Sequence, residues 1–318
     1  MQKRLQTWTS TVQKRRALLR LLSTMPLLAA SGWPHSSMAA SPTLAVQALT
    51  DQLILITGAG GNVVLFKGSA GLTLIDSGEA DKSNALLELV DELGQQAPLR
   101  QLVNTHWHPD HSGGNEAVRA RGASIMAHEN TRLWLGADFE VHWRQQHFKP
   151  RAPEALPDTT DYGSGELDVG GAILQYHHSA QAHTDGDLFL YFPAGNVLVA
   201  GGLMTQRRYP VCDIATGGWI GGLINANKAM LAVADDTTII VPDRGPALTR
   251  ADLQKQHDML ATLFEKMKEL TREGFNGDDM LRVGITAAYD AEWGDPVEFV
   301  QETYRGMWAH TYDMGGYI

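Results

Sequence analysis

The sequence predicts an α/β (α+β) fold carried by one large domain, on three observations. Short β-type runs divided by Gly-rich turns fill the stretch from Leu53 to Asp76, and further such runs alternate with amphipathic helical segments beyond it. The 318 residues are 43% apolar, enough to bury a sizeable core. A dense cluster of ionisable side chains falls between a β-type run and a helix, and open α/β sheets place their sites at the carboxyl ends of strands.

Taken in order, the elements follow from composition. Leu53–Thr57, Asn62–Lys67 and Gly71–Asp76 read as a meander, and Ser83–Leu93 as a helix with Leu86, Leu87, Val90 and Leu93 on one stripe. Leu99–Thr105 reads as a buried strand, Asn115 as the N-cap of a helix, Ala123–His128 as a strand and Glu129–Leu135 as a helix that His128 packs against or caps. From Asp138 to Gly171 the pattern dissolves into Trp, His, Pro and Gly; a long irregular segment of that kind suits a pocket wall, with His142, Trp143 and His147 as candidates. Ala172–His178, Leu188–Phe192, Val197–Ala200 and Thr237–Val241 read as strands, with a Gly-rich loop and a helix between the last two. Thr249, with Asp252 three residues on, caps a helix to Arg272, and Phe299 to Met307 forms a final packing helix.

The first 40 residues differ from the rest. Lys3, Arg4, Lys14, Arg15, Arg16 and Arg20 stand there without an acidic residue, ahead of an apolar run from Leu21 to Ala30 and small residues at 37–40. That is a signal peptide over residues 1–40, and the paired arginines suggest the twin-arginine route, hence a periplasmic or secreted protein with its domain over residues 41–318. An uncleaved anchor is the alternative, although the apolar run is short for a spanning helix. Without the six basic residues the chain holds 20 Lys+Arg against 36 Asp+Glu, which argues against nucleic acid or anionic membrane as partner and leaves a small-molecule substrate. Cys212 is the only cysteine, so no internal disulfide forms.

The chemistry is concentrated in Asn104-Thr-His-Trp-His-Pro-Asp-His-Ser-Gly-Gly-Asn115. His106, His108, Asp110 and His111 fall within six residues, in a chain with 12 histidines in all. Imidazole and carboxylate suit Zn²⁺, with iron or manganese able to substitute. Residues two apart in an extended segment point the same way, so His106 and His108 can grip one ion, and Pro109 turns the chain to aim Asp110 and His111 elsewhere. A closed structural zinc site is the weaker reading, because such sites are rich in cysteine.

His106-x-His108-x-Asp110-His111 followed by Gly-Gly-Asn resembles the signature of the metallo-β-lactamase superfamily of metallohydrolases, and the likeness can be followed from about Ala45 to the C-terminus. The resemblance implies a four-layer αββα sandwich, two mixed β-sheets with outer helices. It also implies that Asp76, in Asp76-Ser-Gly78, supports the metal loop from beneath. Ala182-His-Thr-Asp-Gly-Asp187 resembles the family's second metal motif and nominates His183 as third ligand. His177 and His178 are rivals on spacing alone but lie inside a strand, and Asp187 is expected to order the loop.

Two departures from the family stand out. Where two-metal members carry a bridging Asp, this chain reads Gly201-Gly202-Leu203; where they carry a late His, Pro242-Asp-Arg-Gly-Pro246 places Arg244. Only Asp110 and His111 remain for a second ion, with Asp243 the one neighbour able to rescue it, and arginine does not ligate. The expectation is therefore one metal, on His106, His108 and His183, with Arg244 pairing bidentately to Asp110 where the second ion would be. The implied reaction is hydrolysis of an ester, thioester, lactone or amide-type bond, with Asp110 orienting the metal-activated water and Arg244 holding a carboxylate or the developing oxyanion. Restoring Gly202→Asp and Arg244→His is expected to recreate a two-metal site. The rival reading is an exported metal- or ligand-binding protein that kept the fold and lost turnover; redox chemistry at a di-iron site is opposed by the missing bridging Asp.

Overall fold

Apolar runs punctuated by glycine dictate the first sheet. β1 (Ala45–Ala48), β2 (Leu53–Ala59), β3 (Gly61–Gly68) and β4 (Gly71–Ile75) pair antiparallel in sequence order. Helix α1 (Ser83–Leu93) then carries the chain across, so that β5 (Leu99–Val103) adds parallel to β4. Two short helices follow, α2 (Pro109–Ser112) and α3 (Asn115–Ala120), before β6 (Ser124–His128) adds parallel to β5. The computed structural model describes residues 43–310; the leader expected over residues 1–40 lies outside them.

The segment expected to be irregular contains structure of its own. After α4 (Glu129–Gly136), β7 (Phe139–Val141) and β8 (Gln146–Phe148) form a hairpin. β9 (Thr159–Asp161) extends the first sheet beyond β6, and β10 (Gly165–Asp168) opens the second. Strands of three or four residues are too short for an alternating pattern to show, which is why composition alone reads them as coil. The second sheet continues through β11 (Ile173–Ser179), β12 (Asp187–Phe192) and β13 (Val197–Gly201), all antiparallel. α5 (Ile220–Val233) then returns the chain so that β14 (Ile239–Pro242) lies parallel to β13. The orders are β1-β2-β3-β4-β5-β6-β9 and β10-β11-β12-β13-β14, two mixed sheets.

Burial shows how the layers stack. Leu55, Val64, Phe66 and Ile75 of the first sheet meet Leu174, Leu190, Phe192 and Val199 of the second, and the Phe66 and Phe192 rings stack at 5.4 Å. The other face of the first sheet packs Ile56, Leu65 and Leu74 against Leu86 and Val90 of α1. The other face of the second packs Phe189 and Leu198 against α5, against α6 (Arg250–Arg272) through Leu260 and Leu263, and against Phe299 of α9 (Val297–Ala309), which follows short helices α7 (Gly277–Arg282) and α8 (Asp290–Trp293). The molecule is thus the αββα sandwich, and strands covered on both faces explain the near-continuous apolar runs. Each large side chain so buried contributes about 1.5–3 kcal/mol.

Two local details matter. Thr249 caps α6 as expected, its side chain accepting from Asp252 N while Asp252 accepts in return from the Thr249 amide. Asn115, by contrast, is not an N-cap. It is the first residue of α3, and its buried amide donates to Asn104 Oδ1 (2.8 Å) and the Ala155 carbonyl (2.9 Å) while accepting from Ser77 Oγ (2.8 Å). The side chain is spent cross-linking the loop, leaving nothing for the helix end.

Candidate metal centre

The site is built upward from Asp76. Directly after β4 this residue adopts a left-handed backbone (φ 61°), which turns its buried carboxylate under the following loop. Asp76 Oδ1 accepts from Thr105 N (2.7 Å), and Oδ2 accepts from Thr105 Oγ1 (2.8 Å) and from His111 Nδ1 (2.7 Å). The strand end, the metal loop and α2 are thereby tied to one group.

Each of three imidazoles has one nitrogen already committed. Thr105 Oγ1, whose proton goes to Asp76, accepts from His106 Nδ1 (3.0 Å). Asp213 Oδ2 accepts from His108 Nε2 (3.0 Å), and the Val211 carbonyl accepts from His183 Nδ1 (2.6 Å). The partners therefore assign the tautomers and leave His106 Nε2, His108 Nδ1 and His183 Nε2 as lone pairs. His108 Nδ1 and His183 Nε2 face each other at 2.9 Å, close enough to share a proton or, as lone pairs, to turn to one metal ion. Among the described residues, His106, His108 and His183 form the group whose ligand atoms all come within 4.8 Å of one another. Three imidazoles with an open fourth position fit a catalytic zinc-class ion. For two of them protonation agrees: burial, then the neighbouring imidazoles, push His106 well below its ordinary value, and burial with His108 takes His183 down to about 3.

Asp213, which the sequence pattern did not single out, is the orienting group for His108. It opens the short 3₁₀ turn Ile214–Thr216, accepting from Ala215 N (3.3 Å), and Thr216 Oγ1 donates to it at 2.7 Å while accepting from Trp107 Nε1 at 3.1 Å. Burial works to raise its pKa, but the bond and charge of His108, with Thr216 and His183, outweigh that and hold it at about 2. Asp187 orders the His183 loop, accepting from Thr184 N (2.7 Å) and Thr184 Oγ1 (2.8 Å); its burial pushes it up to about 8.

Asp110 and His111, named as candidate ligands from sequence, stand outside the three-histidine group. Asp110 Oδ2 accepts from Arg244 Nη2 at 2.6 Å, a single bond rather than the two-pronged fork expected. Burial tends to raise Asp110, yet His111, His108 and Arg244 together hold it well below the carboxylate range. His111 carries a proton toward Asp76, and its Nε2 lies 3.5 Å from Asp110 Oδ2. Its burial opposes charge, but Asp76 and Asp110 win and raise it. Asp243 is also engaged: Arg208 Nη2 pairs with its Oδ2, while Oδ1 is buried without a partner.

Gly202 is more than a lost carboxylate. A Cβ there would lie 2.2 Å from His183 Cδ2, so the glycine is what lets the imidazole sit where it does. Its neighbour Gly201 (φ 52°) leaves equally little room against Thr105. Gly202→Asp would therefore have to displace the His183 ring before its carboxylate could serve a second ion.

The remaining candidates fall elsewhere. His178 stacks on His128 at 3.8 Å, and His177 on Phe189 at 4.5 Å. His142 and His147 are exposed, His147 bonding to Asp138 at 2.7 Å. Trp143 donates to Glu302 of α9 at 3.1 Å. From that hairpin it is Arg144 that reaches the metal cleft, a space of about 160 Å³ lined also by Asp110, Arg208, Asp213 and Asp243.

Residues 56–247 match the model of the metallo-beta-lactamase superfamily. The chain belongs to that superfamily. Among relatives of this superfamily member, the hydroxyacylglutathione hydrolase of Erythrobacter litoralis is 30% identical over 104 residues, 32% of this chain and 33% of that protein. The metallo-beta-lactamase type 2 of Elizabethkingia meningoseptica is 26% identical over 171 residues, 51% of this chain and 62% of its own. The match thus spans about a third of the first relative and under two thirds of the second. A metallo-beta-lactamase structure from Pontibacter korlensis superposes with a TM-score of 0.57 at 20% identity, covering 69% of this chain and 99% of that one. The sec-alkylsulfatase Pisa1 from Pseudomonas sp. gives 0.56 at 17% identity, covering 82% and 47%. At these identities the structural likeness speaks to the fold. Among the described residues no helix is long and apolar enough to cross a membrane.

Proposed function

We propose that this superfamily member is a hydrolase using one zinc-class ion, held by His106, His108 and His183, to cleave an ester, thioester, lactone or amide-type bond of a small molecule. The observation that carries the reading is the set of three imidazoles whose outward nitrogens are each tied to Thr105, Asp213 or the Val211 carbonyl. When bound, such an ion supplies Lewis acidity and lowers the pKa of a coordinated water toward ~7. Asp110, ionised at the edge of the cleft, orients the attacking water and relays its proton to the leaving group. Arg244 weakens Asp110 as a base while offering its remaining N–H groups to developing negative charge.

A single ion is supported by three features of the neighbouring half-site. Arg244 occupies Asp110, His111 is held between two carboxylates that favour its protonated form, and His183 leaves no room for a side chain at Gly202. The hydrolase and lactamase names of the sequence relatives support the reaction class. The basic, acid-free first 40 residues support export by the twin-arginine route to the periplasm, which fractionation of cells checks.

The Arg244–Asp110 clamp favours a second reading, a ligand-binding protein without turnover. A screen of zinc-loaded protein against lactams, lactones, thioesters, phosphoesters and sulfate esters separates the two. Turnover that His106→Ala abolishes is the expected result; no turnover of any class by protein holding its metal favours the binder.

A further inference from the structure

Four aromatic rings form a plate against the metal loop. Phe139 and Phe148 are cross-strand partners in the β7–β8 hairpin, their rings stacked at 5.0 Å. Trp107, which stands between His106 and His108 in the chain, meets Phe148 edge-on at 4.9 Å and Phe139 at 5.6 Å. Trp134 of α4 closes the plate against Phe139 at 5.0 Å. The two indole N–H groups both reach Thr216, one directly and one through Asp185. Trp107 Nε1 donates to Thr216 Oγ1 at 3.1 Å. Trp134 Nε1 donates to Asp185 Oδ1 at 2.8 Å, and the Asp185 amide donates in turn to the Thr216 carbonyl at 2.9 Å. Asp185 lies two residues after His183, in the same loop.

We propose that this plate positions the metal ligands, so that the hairpin sets how tightly the ion is held although it supplies no ligand itself. This rests on the three-histidine reading of the site and adds what controls its grip. An indole can only donate, so the Trp107 N–H makes the Thr216 hydroxyl an acceptor and sends its one proton to Asp213 Oδ2, at 2.7 Å. That same oxygen accepts from His108 Nε2 at 3.0 Å, which leaves Nδ1 for the ion. Every proton from Trp107 to His108 is thus placed by its neighbour. Trp107 and Thr216 are buried, so bulk water cannot stand in for a lost partner. The indole also lies edge-on to the His108 ring at 4.5 Å, so its seat bears on the ligand by packing as well as through bonds. On the other side, the Asp213 amide donates to the His183 carbonyl at 2.7 Å, which ties the third ligand's loop to the same turn. Trp107, Thr216 and the hairpin rings are therefore positioning groups: they act on the ion through His108 and His183.

Competition of the full chain with a chromophoric zinc chelator, together with the visible spectrum of the Co²⁺-loaded chain, tests this without turnover, so failure of the hydrolysis screen is a separate result. Thr216→Val keeps the shape and removes the hydroxyl. It is expected to weaken zinc about 10-fold and to shift the Co²⁺ spectrum, and Thr216→Ser is expected to restore both. Phe148→Ala strips the plate far from any ligand atom and is expected to weaken zinc several-fold. Urea unfolding of each metal-free variant is measured alongside. A merely structural role lowers that midpoint and leaves zinc affinity and the Co²⁺ spectrum as in wild type, which overturns the proposal. Should Thr216→Val not fold, Trp107→Phe, which keeps a ring in the plate and deletes the N–H, carries the same expectation. Equal losses in the Val and Ser variants, or unchanged affinity in Phe148→Ala, also overturn it. A wild type that takes up no zinc removes the three-histidine reading and the positioning role together, whereas normal uptake with unaffected variants removes the positioning role alone.

Discussion

Asp213 shows how much a single residue decides here. It fixes which nitrogen His108 presents and sits beside the His183 loop, while touching no ligand position itself. Asp213→Asn keeps the shape but can offer His108 an N–H where an acceptor is required, so metal affinity is expected to fall about 10–100-fold. Competition with a chromophoric chelator measures it, and unchanged affinity contradicts the role. Gly202 makes the opposite point. Gly202→Asp with Arg244→His adds two potential ligands, yet the new Cβ displaces His183, so the variant is expected to lose the first ion rather than gain a second. A rise in bound metal would show the packing argument to be wrong. His106 and His108 were legible because one short segment carries both, and His183 because its loop has a recognisable pattern. Asp213, Arg208 and Arg144 were not, because folding alone brings them to the cleft from loops distant in sequence and their local patterns look like ordinary turns. Asp213 had one available signal, an Asp-x-Ala-Thr-Gly turn that a reading for Asx caps would have flagged.

At the scale of elements, β6 and β11 belong to different sheets, yet His128 at the end of one stacks on His178 of the other. His128 Nδ1 caps α4 by accepting from Asn130 N (3.1 Å), and Nε2 donates to the Tyr162 carbonyl (3.2 Å). Burial, then the His178 ring, lowers its pKa; the Tyr162 bond, Asp161 and Glu129 oppose this less strongly. The folded state thus binds fewer protons here than the unfolded chain, whose histidine titrates near ~6.5. The stability is present above that value and is lost as pH falls through it toward the lower folded value. His128→Asn retains an N-cap acceptor without titrating, so its urea midpoint is expected to fall less than that of wild type between about pH 7.5 and about pH 5.5. Parallel losses in both proteins would remove His128 from the account. The long elements, α1, α6 and the strands of the meander, were readable because their periods run for several residues against clear caps and glycines. The three-residue strands β7, β8 and β9 exist because tertiary partners wait for them, and no local pattern announces that.

Across the whole molecule, the site joins loops at the carboxyl ends of β4, β5, β13 and β14 and the turn between β11 and β12, so an ion held by the three histidines would link both sheets. Binding that the folded state alone provides stabilises it, by about 2.7 kcal/mol at a metal concentration 100 times the dissociation constant. Chelation is accordingly expected to lower the unfolding temperature of wild type and to leave that of His183→Ala nearly where it began. The central claim concerns number: three imidazoles take one ion, and Arg244 stands where a neighbour would be. Elemental analysis of the purified chain, loaded with excess zinc and then dialysed, tests it most directly. One ion per chain is the predicted result; two tightly held ions, or none, would contradict it.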